Sequence, residues 1–122
     1  NVQEVVFKML SKQDNIHLIA PLDYPSFVWL MNQSAVIISD SGGIQEEAPS
    51  LSVPVVVTRD TTERFEGIDA GISFLVGTST KRIVDKTSEI LKRLDDFKGI
   101  KNPYGDGDAA EKIIAFISQE LN

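Results

Sequence analysis

Cysteine is missing from all 122 residues, and histidine occurs once. The first absence excludes disulfides, thiolate nucleophiles and cysteine-ligated zinc; the second leaves no histidine pair at metal-ligand spacing. No apolar run approaches the ~20 residues that cross a bilayer, and no stretch has the basic-then-apolar layout of a signal peptide. Positive charge is scarce too: 12 Lys and Arg stand against 18 Asp and Glu, a formal net charge of −6. A nucleic-acid surface wants a basic stripe, which this balance does not supply. What is present suits one soluble domain, since 42% of the residues are apolar and the length falls in the single-domain range.

The chain is organised around Ser39-Asp40-Ser41-Gly42-Gly43-Ile44-Gln45-Glu46-Glu47-Ala48-Pro49, which follows the apolar run Ala35-Val36-Ile37-Ile38 and leads into helical spacing. It reads as strand, tight glycine turn, helix start. Two glycines allow φ > 0 and a close approach of backbone to a ligand, because no Cβ intervenes. The first amides of the helix lack intrahelical acceptors and lie at the positive end of its dipole, so phosphate is the expected guest. With the helix starting near Gly43, Glu47 falls one turn on, roughly 6 Å along the axis, where a carboxylate suits a ribose diol beside a diphosphate. By spacing alone, the same glycine pair equally fits a turn that only joins a parallel strand to its helix.

Upstream, Val2, Val5, Val6, Met9 and Leu10 recur at helical spacing, with Asn1 and Glu4 as a capping-box start, and predict an amphipathic helix over 2–12. Residues 16–19 read as a short buried strand in which His17 is structural or edge-exposed. Asp23 caps a second helix with Pro25 in its first turn; Phe27, Leu30 and Met31 form its apolar stripe, expected in the core. Leu22 and Phe27 also flank this strand-to-helix junction at the carboxyl edge of the sheet, where open α/β sheets bind ligands, and Phe27 offers a flat apolar face.

Downstream, strands are predicted at 36–39, 55–57 and 72–76, with near-continuous apolar runs that suit parallel strands covered on both faces. Ile44, Ala48 and Leu51 should pack on the sheet, and Pro49 should shorten or tighten their helix. The 59–64 segment, with Arg59 and Arg64, reads as a solvated loop of mixed charge. A short helix over 66–70 should end on a left-handed Gly71. Ser79 or Thr78 should cap a longer helix whose Ile83, Thr87, Ile90, Leu91 and Leu94 face inward. Asn102-Pro103-Tyr104-Gly105-Asp106-Gly107 is a turn cluster, and Ala110, Ile113, Ile114, Ile117 and Leu121 stripe a final helix.

Asp40 to Pro49, then Pro54-Val55-Val56-Val57, then Arg59-Asp60-Thr61-Thr62-Glu63-Arg64, together with Asn102 to Gly107, resemble the non-hydrolysing UDP-N-acetylglucosamine 2-epimerases over essentially the whole chain. The resemblance implies an α/β, three-layer Rossmann-like parallel sheet, residues 1–122 being most of the C-terminal, UDP-binding domain of a GT-B two-domain enzyme. It implies binding of a UDP-sugar: Ser41, Gly42 and Gly43 at the diphosphate, Glu47 at the ribose, Leu22 and Phe27 at the uracil, Arg64 on the phosphate charge. Neither cofactor nor metal is implied. The intact enzyme would interconvert UDP-N-acetylglucosamine and UDP-N-acetylmannosamine by elimination and re-addition of UDP. It would be a cytoplasmic homodimer in cell-surface polysaccharide biosynthesis, without nucleic-acid or membrane partners. The family's catalytic carboxylates and histidine match no position here, so no catalytic residue is assigned, and 1–122 alone is expected to lack epimerase activity. Family members usually carry proline where this chain has Phe65, which leaves the local backbone path open.

The chain begins at Asn1 rather than Met and reads as a fragment. In the family's strand order, 3-2-1-4-5-6, it would supply strands three to six. Strand 16–19 would then lie two vacant positions, roughly 14 Å, from strand 36–39. The gap would be re-paired, filled by another chain, or filled by missing residues of the same polypeptide. Two other functional readings stay open: a GT-B glycosyltransferase nucleotide-binding domain and a non-catalytic nucleotide-binding module. A phospho-acceptor use of Asp40 lacks the usual acidic pair and downstream lysine.

Overall fold

Val55-Val56-Val57 is the run over which the fold closes. β-branched side chains suit a pleated surface, and with no polar atom to satisfy they can be covered on both faces. The computed structural model describes residues 2–121. In it, all three valines are buried as the central strand of a parallel sheet. Among the described residues that sheet has three strands, β1 (Ile37–Ser39), β2 (Val55–Val57) and β3 (Ser73–Leu75), in the order β1-β2-β3. Ile37 lies beside Val55 and Val55 beside Ser73, and the register runs on to Ser39, Val57 and Leu75.

Alternation divides β2 between two cores. Val55 and Val57 point to Ala48 and Val53, with Ile37, Ile44, Leu51 and Leu75 around them. Val56 points the other way, to Val76, Ile90 and Phe97. Each fully buried valine contributes about 1.5–3 kcal/mol over its exposed state. The first face is covered by α3 (Gly42–Glu47), which tightens at Ala48–Leu51 into a 3₁₀ turn carrying Pro49, as the missing proline N–H requires. The second is covered by α5 (Thr80–Leu91) and the 3₁₀ turn Leu94–Phe97.

The caps follow the sequence. α2 (Tyr24–Asn32) starts on Asp23, whose carboxylate accepts the Ser26 N–H at 2.9 Å. Ser79 accepts the Arg82 N–H for α5. α4 (Phe65–Asp69) ends in a left-handed Gly71, φ 74°, and the Ile72 N–H reaches back to the Gly67 carbonyl. Phe65 opens α4, a position whose N–H needs no intrahelical acceptor and where proline and phenylalanine are both accommodated.

The Ser26 hydrogen bonds hold the Asp23 carboxyl below its ordinary 3.8. A depressed folded pKa stabilises fully above the unfolded value and is lost as pH falls through the folded one. Asp23→Ala should therefore lower Tm near neutral pH and make no difference well below 3.8. Asp23→Asn, which keeps an acceptor, should hold its Tm across the same range. Thermal melts at a series of pH values decide this, and an equal gap between wild type and alanine throughout would exclude the cap.

Several expectations need correction. Residues 16–19 form no strand, because a strand exists only through a ladder partner and no described segment lies alongside them. They are exposed and without regular structure on the way into α2. The sheet thus shows the second half of the expected order, and β1 is paired on one side only among the described residues. Ile38, expected between two covered faces, is 50% exposed. In α2, Met31 reaches the core and Phe27 is half-buried, but Leu30 is exposed. In α5, Leu91 is exposed because it lies about 80° around the helix from Ile83. The stripes of α1 (Val2–Leu10) and α6 (Ala109–Glu120) form as helices, yet α6 buries no residue, and Val5 and Met9 of α1 stay exposed. Asn1, the expected cap of α1, lies outside the described residues.

Candidate functional site

β1 ends at Ser39, whose hydroxyl accepts the Ser41 N–H at 3.1 Å and turns the chain out of the sheet. Ser41 is extended, φ −70° and ψ 130°, and its own hydroxyl makes no cap bond. The first helical bond of α3 runs from the Gln45 N–H to the Ser41 carbonyl at 3.3 Å. The amides of Gly42 and Gly43 precede it, and among the described residues no protein acceptor engages either. Neither glycine has positive φ, contrary to expectation. Both are ordinary first-turn residues, and what they supply is room. A Cβ on Gly42 would lie 2.6 Å from Arg64 Cζ and 2.8 Å from its Nη2, whereas one on Gly43 would meet nothing nearer than Glu47 Oε1 at 3.8 Å.

Arg64 comes from the loop after β2 and is not freely solvated: its side chain is 24% exposed. Nε donates to Glu46 Oε1 at 2.6 Å, and Nη1 is paired with Glu63. The hydrogen bond that it donates to Glu46, then the one to Glu63, push the guanidinium further up against the opposing effect of desolvation, so it stays charged. Neither pair uses Nη2, which lies beside Gly42 together with Nη1. A charged donor and two helix-start amides therefore share one small region, the arrangement that binds a phosphate.

Glu47 is half-buried and points out of the apolar interior. Its Oε1 lies near Gly43, and its Oε2 accepts the Tyr24 O–H at 3.2 Å. That bond, more than the negative charge beside it, raises the Tyr24 phenol above its ordinary 10.0. Both residues line a hollow of about 90 Å³ with Val28, Met31, Ser50 and Leu51. Leu22 and Phe27 share a larger groove, about 460 Å³, with Gln3, Ile19, Ala20, Pro21 and Leu30.

The expected residues thus fall into three groups. Ser41, Gly42, Gly43 and Arg64 are together, Glu47 sits one turn on with Tyr24, and Leu22 and Phe27 lie on a separate groove beyond α2. Residues not anticipated are Tyr24, Glu46, Gln45, Thr62 and Tyr104. Gln45 had a legible signal: it is three and four residues before the inward Ala48 and Pro49, so a polar side chain there had to be buried and partnered. Tyr104 accepts the Gly67 N–H at 3.2 Å, and desolvation foremost raises its phenol. Asn102 shapes that turn, accepting the Tyr104 N–H at 3.1 Å and donating to the Gly105 carbonyl at 2.9 Å. His17 is exposed and lines a groove with Phe7 and Leu18. Among the described residues no three His, Cys, Asp or Glu are grouped to hold a metal ion, and no helix is long and apolar enough to cross a membrane.

Comparison with known proteins gives one consistent match. The family described as UDP-N-acetylglucosamine 2-epimerase matches residues 1–118. A probable UDP-N-acetylglucosamine 2-epimerase of Ralstonia nicotianae is 52% identical over 93% of this chain and 31% of its own length. The UDP-N-acetylglucosamine 2-epimerase of Escherichia coli K12 is 50% identical over the same shares. Among solved structures, the Neisseria meningitidis UDP-GlcNAc 2-epimerase bound to UDP-GlcNAc is 44% identical with a TM-score of 0.84, over 98% of this chain and 33% of that one. The S. aureus MnaA–UDP co-structure is 44% identical with a TM-score of 0.89, over 99% and 34%. The chain spans about a third of the length of the curated relatives it matches.

Proposed function

The chain belongs to the UDP-N-acetylglucosamine 2-epimerase family, and on that premise we propose that it is the C-terminal, UDP-binding part of a two-domain GT-B enzyme. The enzyme interconverts UDP-N-acetylglucosamine and UDP-N-acetylmannosamine. It works in the cytoplasm as a homodimer, in the synthesis of cell-surface polysaccharide. In the elimination step the bond from C1 to the diphosphate oxygen breaks as the C2 proton leaves, and the electron pair goes to UDP. Negative charge then grows on the diphosphate. The amides of Gly42 and Gly43, the Ser41 hydroxyl and Arg64 Nη2 meet that charge, and donors aimed at developing charge lower the barrier. Glu47 accepts from the ribose diol while Tyr24 fixes its second oxygen, and Leu22 and Phe27 flank the uracil. The same contacts hold UDP for re-addition after the opposite face is protonated. Proton transfer belongs to residues outside this chain, which supplies the leaving-group side.

The observation that carries this reading is the meeting of two unengaged helix-start amides with a guanidinium nitrogen that neither carboxylate uses. The relatives described above are epimerases by name, which favours this reading over a glycosyltransferase or a bare nucleotide-binding module. Calorimetric titration of the full-length protein with UDP provides the test. Glu47→Ala should weaken UDP by on the order of tenfold, the loss of charge-assisted bonds to the ribose, and Tyr24→Phe by about two- to fivefold. Unchanged affinity in Glu47→Ala would remove the ribose assignment.

A further inference from the structure

Gln45 is wholly buried and Thr62 is 5% exposed, and together they join the two halves of the candidate site. The Arg64 backbone N–H donates to Thr62 Oγ1 at 3.2 Å, the Thr62 hydroxyl donates to Gln45 Oε1 at 2.8 Å, and Gln45 Nε2 donates to the Ser41 carbonyl at 3.3 Å. Every donor points the same way, from the arginine backbone to the residue before the glycines, so each bond polarises the next. The roles are forced. Thr62 has one proton and spends it on Gln45, which leaves its lone pair for Arg64, and only the amide oxygen of Gln45 can accept that proton. The other ties near Arg64 are ion pairs to exposed carboxylates, Glu46 and Glu63, of the weak, solvent-screened kind. The buried chain is what fixes the backbone from which the guanidinium extends.

We propose that Gln45 and Thr62 are positioning residues for nucleotide binding: they set where Arg64 Nη2 stands relative to the Gly42 and Gly43 amides. The inference rests on the reading of that region as the diphosphate site. Methionine and valine would fill similar volumes without tying the Arg64 backbone to Ser41. This pair instead begins and ends on residues of the site.

The double variant Gln45→Met/Thr62→Val tests it, because both buried side chains lose their polar atoms together, the Ser41 carbonyl keeps the Gln45 N–H, and only the part-buried Arg64 N–H loses its acceptor, at a small cost to folding. In the full-length protein it should melt near wild type yet bind UDP about tenfold more weakly. Thr62→Ser, which keeps the hydroxyl, should bind as wild type. Arg64→Ala should also weaken UDP, and adding the double variant to it should weaken UDP no further, since the pair acts through Arg64. Wild-type affinity in the double variant, or an undiminished loss in the Arg64→Ala background, overturns the positioning role and leaves the diphosphate reading standing. Wild-type affinity in Arg64→Ala itself overturns both.

Discussion

Replacing Gly42 by alanine should weaken UDP binding ten- to hundredfold, the worth of one lost charge-assisted contact to phosphate, while Tm stays close to wild type. The two outcomes separate because of what the new methyl group meets. It would lie 2.6–2.9 Å from the Arg64 guanidinium atoms, too close to stay, but these are the far end of a flexible side chain. Arg64 swings away at little cost in folding, and the helix gains slightly from exchanging glycine for alanine. The nucleotide loses its charged donor. Gly43→Ala should weaken UDP for a different reason, since its methyl meets no protein atom within 3.8 Å and can only obstruct the ligand. Double-mutant cycles distinguish these causes: Gly42→Ala should add almost nothing to Arg64→Ala, whereas Gly43→Ala should add in full. Normal UDP affinity in Gly42→Ala would mean that Arg64 does not act from this position.

This division of labour between two adjacent glycines could not be read from the sequence, where Gly42 and Gly43 are the same letter before the same helix. The turn, its place after β1 and the carboxylate one turn on were legible, because they depend on local spacing. The neighbour that makes Gly42 necessary is Arg64, from the loop after the adjacent strand β2, and periodicity carries no trace of it. From its own composition the 59–64 loop reads as solvated, yet Thr62 is buried in it. Only the resemblance singled out Arg64. The parallel sheet was legible because Val55-Val56-Val57 has no polar alternate. The 16–19 segment is apolar too, His17 apart, and is not a strand, since pattern gives the propensity of a segment and pairing requires a neighbour. For the same reason the stripes of α1 and α6 predicted helices correctly but said nothing about what covers them.

Phe97→Ala should be the most damaging single change to stability, about 3–5 kcal/mol, because a buried phenyl ring is removed from a core too small to refill the space. Phe97 is 2% exposed and forms an edge-to-face pair with Phe74, ring centroids 5.9 Å apart, while Arg93 lies over its own face at 5.9 Å. It closes the second face of the sheet with Val56, Val76 and Ile90. It was invisible to helical periodicity because it ends a four-residue 3₁₀ turn, where no stripe can develop. Against a total of about 5–15 kcal/mol for a domain of this kind, that loss is large. It should appear as a fall in Tm of about 10–20 °C, and Phe97→Leu should recover more than half of it. UDP affinity, measured where the variant is still fully folded, should stay at the wild-type value. The helix that follows the glycine turn packs on the opposite face, where Ile44 meets Ala48, Val55 and Val57, so the ring contributes to whether the sheet exists and not to how the turn presents its amides. A fall in affinity below the melting transition would show instead that the two faces of β2 are mechanically coupled.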